Sequence, residues 1–89
     1  MQVRNECFRC GSTRNLEVHH VFFGNANRKL SDKYGLTVKL CPYCHRGMNG
    51  VHNNHGFDLK LKEFGQECFE ASHPRLSFLK IFGKNYKGV

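Results

Sequence analysis

Two cysteine pairs constrain the fold of this chain more than any other feature. Cys7 and Cys10 form one Cys-x2-Cys pair, and Cys41 and Cys44 form a second pair after a gap of 30 residues. Two such pairs can supply the four thiolates of a closed, tetrahedral structural zinc site. The alternatives are disulfides, which a reducing compartment disfavours, or a redox pair, which lacks the expected βαβ context. We therefore predict one structural Zn²⁺ bound by all four cysteines.

The length of the chain makes such a metal site important for stability. With 89 residues, the chain has room for a single domain, 1–89. A domain of this size buries only roughly 60–65% of the surface that its unfolded chain exposes, so its apolar core is marginal. A structural zinc contributes roughly 10–16 kcal/mol to the folding of zinc-finger peptides. We place the zinc knuckles and a ββα core at about 5–55 and C-terminal helices at about 57–86.

Local patterns predict two strands in the N-terminal half. Residues 16–23 are rich in β-branched and aromatic side chains and end at a glycine, which predicts a strand and a turn. The polar, basic stretch 25–35 is predicted to be a loop, and 36–40 a second strand. A helical turn is predicted to begin at Pro42, where a missing N–H is tolerated. Gly47 and Gly50 weaken any continuation of that helix.

Apolar spacing predicts two further helices. The first begins at Asp58 as its N-cap, and the second runs from near Pro74 to Gly83. Cys68 falls on the apolar stripe of the first helix and is predicted to be a buried, inert thiol. The inward-facing residues predicted for the two helices are Phe57, Leu61, Phe64 and Cys68, then Phe78, Leu79 and Phe82.

The charge of the chain indicates a polyanionic partner. Fourteen Lys and Arg against seven Asp and Glu give a net charge of +7. Nucleic acid is the expected partner, although a basic surface can also serve solubility alone. No apolar run approaches the ~20 residues of a membrane span, and residues 1–10 lack the apolar region of a signal peptide. We therefore expect a cytoplasmic protein with no membrane association.

The histidines form a second group of candidate ligands. His19 and His20 are adjacent in the predicted first strand, and His45 directly follows the last zinc cysteine. His52 would lie two helical turns beyond His45 on the same face, together with Asn49, if that segment is helical. The zinc site would bring the segments that carry these histidines together. The alternative is that some are surface residues or alternate zinc ligands, as we expect for His55 and His73.

This arrangement suits hydrolysis of a phosphodiester. Imidazole has a pKa near ~6.5 and can accept a proton from water at neutral pH. A second divalent cation would stabilise charge on the phosphate and on the leaving oxygen. Imidazole ligands bind Mn²⁺, Ni²⁺, Co²⁺ or Zn²⁺ as well as Mg²⁺, so the second site is expected to be permissive.

These motifs resemble a known family. The first cysteine pair, LEVHHV at 16–21 and LCPYCH at 40–45 resemble the zinc-containing HNH (ββα-metal) endonucleases. Further segments extend the resemblance from Cys7 to Tyr86 and are similar to small phage and prophage HNH proteins of the recombination-enhancement, RecA-dependent nuclease group. Those segments are HVFFG at 20–24, NRKLS at 27–31, GVHN at 50–53, LKLK at 59–62 and FGKNY at 82–86.

The resemblance implies a fold and roles for individual residues. The fold would be α+β: a small, treble-clef-like ββα-metal domain with a structural four-cysteine zinc site and two C-terminal helices. His20 would be the general base of a DNA endonuclease. His19 and His45 would bind the catalytic Mg²⁺, Mn²⁺, Ni²⁺ or Zn²⁺, with His52 as a further ligand. The middle Asn of the motif, which braces the segment between the strands, is replaced by Leu36, and Asn25 and Asn27 are candidate substitutes.

The expected partner is DNA, gripped mainly through its phosphates. The residues predicted to contact phosphates are Arg28, Lys29, Lys33 and Arg46, with Lys60, Lys62, Lys80, Lys84 and Lys87 extending the track. The resemblance also implies a phage or prophage protein in a bacterial host, acting in DNA recombination or processing with a recombinase or packaging partner. A double-strand cut by so small a site usually needs two copies, so a homodimer is one possible assembly, and the oligomeric state stays open.

Two other functions remain open at this point. A non-catalytic zinc-knuckle module that binds nucleic acid would use the same cysteines and positive charge, but it does not explain the histidines. An RNA-directed enzyme or toxin would use the same site, because such a site does not by itself choose the sugar.

Overall fold

A computed structural model describes residues 4–87 and has an α+β architecture. Two short strands form an antiparallel sheet, one helix connects them, and three more helices follow. None of the helices between residues 4 and 87 is long and apolar enough to cross a membrane. The elements are β1 (Glu17–His20), α1 (Asn25–Tyr34), β2 (Thr37–Leu40), α2 (Pro42–Arg46), α3 (His55–Ser72) and α4 (Phe78–Phe82).

The predicted strands are confirmed, although the first is shorter than expected. β1 pairs with β2 in a register that places His19 opposite Val38 and His20 opposite Thr37. Beyond β1 the chain is joined to the residue that precedes β2, since Val21 N–H donates to the Leu36 carbonyl at 3.0 Å. Alternation along β1 sends His19 into the interior, where it is 2% exposed, while Val18 is 57% exposed.

The prediction of a loop over 25–35 is wrong, because this stretch forms the ten-residue helix α1. Only Leu30 and Tyr34 among its side chains are partly buried and apolar, so the sequence lacks a clear apolar stripe. The helix ends at Gly35, whose φ of 69° is the left-handed conformation that favours glycine. Besides Leu30 and Tyr34, α1 contacts the core through Ser31, which is fully buried.

Ser31 attaches α1 to the segment that follows β1. Its hydroxyl donates to the Phe22 carbonyl at 2.8 Å and accepts from the Phe22 N–H at 3.2 Å. The Leu36 N–H donates to the Ser31 carbonyl at 2.8 Å, and the Leu36 side chain lies in the core. The segment between the strands is thus braced by a serine hydroxyl, whereas Asn25 and Asn27 lie on α1 and make no such bond in the part of the chain that the structure describes.

The helix α2 begins at Pro42 as predicted and ends before Gly47. A Cβ on Gly47 would overlap the Tyr43 carbonyl oxygen, so this turn requires a glycine. The following residues form turns and no regular helix as far as His55. Those turns determine where His52 lies.

The start and the buried face of α3 differ from the prediction. The helix begins at His55 with Asn54 as its N-cap, whose side chain accepts from Phe57 N–H at 3.1 Å. The predicted N-cap, Asp58, is a buried residue within the first turn. The buried face is displaced from the predicted stripe, because Phe64 is 42% exposed and Cys68 is only half-buried. The buried residues of α3 are Asp58, Leu61, Gly65, Gln66 and Phe69.

The last helix, α4, is shorter than predicted, because Ser77 rather than Pro74 begins it. The Ser77 hydroxyl accepts from the Lys80 N–H at 3.3 Å. Phe78 and Phe82 are buried as predicted, and both contact the Phe22 ring. Leu79 is 55% exposed, so its predicted inward orientation is wrong. In a helix of five residues, positions 78 and 82 share the inner face and 79 does not.

Candidate metal centres and their surroundings

The four cysteines of the two pairs meet in one cluster. One Sγ atom from each of Cys7, Cys10, Cys41 and Cys44 lies within 4.8 Å of the others. The Cys10 and Cys41 sulfurs are 3.6 Å apart. Ligands at about 2.3 Å from a tetrahedral ion are about 3.8 Å from each other, so the sulfurs fit such an ion. The cluster could therefore hold a structural metal ion such as zinc.

Backbone hydrogen bonds shape both cysteine turns. Gly11 N–H donates to the Cys7 carbonyl at 2.9 Å, and His45 N–H donates to the Cys41 carbonyl at 2.9 Å. The first turn is joined to the sheet because Phe8 N–H donates to the Lys39 carbonyl at 2.8 Å. The bond from Phe8 to Lys39 places the first pair beside the strand that leads into the second pair.

The protonation of the thiols agrees with a cation-binding role. Burial opposes ionisation of Cys7, but hydrogen bonds from the backbone around Cys41, Cys10 and Arg9 outweigh it and lower the pKa of Cys7 to about 6. Burial and the neighbouring thiols raise the pKa of Cys44 to about 12. Several thiolates packed together repel one another, and a divalent cation relieves that repulsion.

Three histidines form a second cluster near the end of β1. Ligand atoms of His19, His45 and His52 all lie within 4.8 Å of one another. The Nε2 atoms of His45 and His52 are 3.0 Å apart, close to the spacing of about 3.3 Å for two nitrogens on one tetrahedral ion. His19 Nε2 is buried, and no described residue hydrogen bonds with it. A buried, unpartnered nitrogen beside two others fits a metal site.

The surroundings keep two of these histidines neutral, as metal ligands must be. Burial, followed by the charges of His45 and His52, lowers the pKa of His19 to about 3. Burial and His45 also lower the pKa of His52. Neutral imidazoles present a lone pair to a cation.

Glu17 fixes the third histidine from the opposite side. Its Oε1 lies 2.7 Å from His45 Nδ1, so a proton on Nδ1 leaves Nε2 free to face the cluster. Arg46 donates to both carboxylate oxygens of Glu17, at 3.1 and 2.6 Å. The hydrogen bond from His45 and the charge of Arg46 lower the pKa of Glu17.

His20 lies beside the cluster and has its own carboxylate partner. His20 Nε2 is 2.7 Å from Asp32 Oδ1 on α1. His20 lines an open cavity of about 240 Å³ together with the three histidines of the cluster. The remaining lining residues are Val18, Phe23 and Arg28. The structure thus brings together all four histidines that the sequence singled out.

The predicted cationic contacts lie in different surroundings. Arg28 lines the histidine cavity and also, with Lys29, an adjoining surface hollow on α1. The Lys33 ammonium lies 5.3 Å from the Tyr34 ring. Arg46 is paired with Glu17. The role of each in phosphate binding stays a prediction.

The route by which His52 reaches the cluster differs from the prediction. No helix connects His45 to His52 in this described stretch. Instead, Val51 N–H donates to the Cys44 carbonyl at 2.8 Å, which folds the chain back. Asn49 does not line the histidine cavity, and its carbonyl accepts from Arg9 at 2.6 Å. His55 is exposed as expected, and the half-buried His73 stacks on Phe69.

Sequence reasoning missed the two carboxylates beside the histidines. Glu17 lies two residues before His19, the same-face spacing of a strand, but a single Glu gives no signal by itself. Asp32 falls in the stretch predicted to be a loop, and only the helical turn of α1 brings it to His20.

No protein-family profile, curated protein or solved structure matches this chain.

Proposed function

We propose that this chain is a metal-dependent HNH endonuclease that hydrolyses DNA phosphodiester bonds. The observation that carries the proposal is the convergence of three histidine ligand atoms within 4.8 Å, beside a fourth histidine and an arginine in one open cavity. A binding module has no need of a second, histidine-lined site that is open to solvent. The four-cysteine cluster would hold zinc and fix the segment that carries His45.

His20 is the proposed general base. An Asp32 carboxylate that accepts from Nε2–H leaves Nδ1 unprotonated, so His20 can take a proton from water. The water oxygen then bonds to phosphorus, its proton moves to His20, and the bond from phosphorus to the leaving oxygen breaks. Asp32 stabilises the resulting imidazolium, as a carboxylate does beside a catalytic histidine.

The residues that would hold the second divalent cation are His19, His45 and His52. A cation bound there supplies positive charge for the phosphate and the leaving oxygen. Glu17 holds His45 in the orientation that points Nε2 at the cluster. Arg28, at the edge of the same cavity, would bind a neighbouring phosphate.

The test is nicking of supercoiled plasmid by the zinc-loaded protein with Mg²⁺, Mn²⁺ or Ni²⁺, beside His20→Ala. We expect cleavage that requires an added cation and falls by at least about a hundredfold in the variant, with zinc content and DNA affinity retained. His73→Ala is the matched control, because this histidine lies outside the histidine cluster and does not line its cavity. Absence of cleavage with every metal, on duplex, single-stranded and branched DNA, would favour the non-catalytic zinc-knuckle module.

A further inference from the structure

A second cavity adjoins the histidine cavity. It is open, has a volume of about 440 Å³, and shares Phe23 and His52 with the first cavity. Its other lining residues are Val51, Asn53, His55 and Asp58. A group attached to a phosphate in the first cavity would therefore lie close to the second.

Asp58 supplies this cavity with a carboxylate oxygen that lacks a hydrogen-bond donor. The residue is 8% exposed, and Lys62 Nζ donates to its Oδ2 at 2.9 Å. No described residue donates to the buried Oδ1. A buried carboxylate oxygen without a donor is unfavourable, so a ligand that brings an N–H group would bind here with a gain in free energy.

The cavity also presents an aromatic wall. Phe23 is 39% exposed, and its ring centroid lies 5.5 Å from that of His52. Lys62 Nζ lies 4.0 Å from the centroid of the Phe23 ring while it pairs with Asp58, so it fixes both residues. Because the Lys62 ammonium compensates the carboxylate charge, the cavity suits a neutral, planar group with a hydrogen-bond donor at its edge.

We propose that this cavity binds the nucleobase next to the cleaved phosphate, with Asp58 Oδ1 accepting a hydrogen bond from an exocyclic amino group. The proposal rests on the proposed function in that the phosphate lies in the adjoining histidine cavity. A base with such an amino group, for instance cytosine, is preferred over thymine, which carries a carbonyl oxygen at the same position. Asp58 is thus a specificity-determining residue.

The test measures binding, so that it does not depend on cleavage. Zinc-loaded full-length His20→Ala protein is titrated into fluorescent oligodeoxycytidine and oligothymidine of equal length at neutral pH. One hydrogen bond to a charged acceptor predicts roughly ten- to a hundredfold tighter binding of the cytidine strand. In Asp58→Asn, the amide oxygen can accept from Lys62 and the NH₂ group can donate to the thymine carbonyl, so we expect the preference to disappear or reverse.

A matched control removes the same charge elsewhere on α3. Glu67 is exposed and does not line the cavity, so Glu67→Gln should keep the cytidine preference. Phe23→Leu should weaken binding of both strands, since stacking does not distinguish them.

The outcomes separate this proposal from the nuclease. Equal affinity for the two strands, unchanged in Asp58→Asn, means that only water meets Oδ1 and overturns the base site even if plasmid is cut. A preference that depends on Asp58 supports the base site even if no plasmid is cut, in which case the nuclease proposal alone fails. No binding to either strand overturns the base site, and plasmid nicking then decides the nuclease separately.

Discussion

Replacing Ser31 with alanine should reveal how strongly α1 is held to the sheet. The hydroxyl is fully buried and makes two hydrogen bonds, to the N–H and to the carbonyl of Phe22. Without it, both backbone groups of a residue that is 1% exposed lose a partner. An unsatisfied buried group costs about 1–3 kcal/mol, and alanine recovers a few tenths through helix propensity, so we expect a loss of about 2–4 kcal/mol.

The assay is reversible denaturation of the zinc-loaded protein, followed by circular dichroism. For a domain of this size the loss corresponds to a fall in Tm of roughly 10–25 °C. Ser72→Ala is the control, since this serine is exposed at the end of α3 and should change stability by less than about 0.5 kcal/mol. A loss below about 1 kcal/mol in Ser31→Ala would refute the reasoning and would mean that water reaches the Phe22 backbone.

Four other predictions concern the two clusters and the neighbouring His20. Glu17→Gln should weaken binding of Co²⁺ at the histidine cluster by about 10–100-fold, because His45 loses its charged acceptor; unchanged visible absorption titrations would argue against the role of Glu17. Asp32→Asn should lower the cleavage rate with Co²⁺ affinity unchanged, as the carboxylate contacts His20 and lies outside the histidine cluster; a parallel loss of affinity would contradict this assignment. Chelation of zinc under reducing conditions should unfold the chain, seen as loss of helical circular dichroism, whereas retained helix would show that the apolar core suffices. When the histidine cluster holds no metal, the free energy of unfolding should fall by up to about 1.4 kcal/mol per pH unit between pH 6.5 and 5.5. The reason is that the unfolded chain binds a proton in this range, whereas folded His19, with its pKa of about 3, does not. The same slope in His19→Gln would disprove this origin.

Patterns that depend on local spacing could be predicted well from the sequence. The cysteine pairs, the two strands and the start of α2 at Pro42 all carry short signals that later packing does not change. The proximity of His19 and His45 could also be predicted, because His19 lies on the first strand and His45 directly follows the second cysteine pair. Whether the cysteine cluster holds zinc and whether the histidines act in catalysis stay predictions.

Other features depended on tertiary packing and could not be predicted in this way. α1 has few apolar residues, and its main anchor is the hydroxyl of Ser31, a polar residue that reads as a loop signal. The buried face of α3 includes two polar residues, Asp58 and Gln66, which bond to Lys62 and Asn85. His52 reaches the cluster through a turn that requires a glycine at position 47. The seven-residue spacing from His45 to His52 matches two helical turns, but no helix connects these two residues.

The position of His45 directly after Cys44 imposes an order of assembly on the two clusters. The Cys41 carbonyl holds the His45 N–H, and the Cys44 carbonyl holds the Val51 N–H just before His52. Two of the three clustered histidines therefore acquire their places only when the second cysteine turn has formed. If both clusters bind metal, we expect the affinity of the histidine cluster to be conditional: in a titration of the metal-free chain, the thiolates should fill first, and the imidazoles should become a site only in molecules whose thiolates are already occupied.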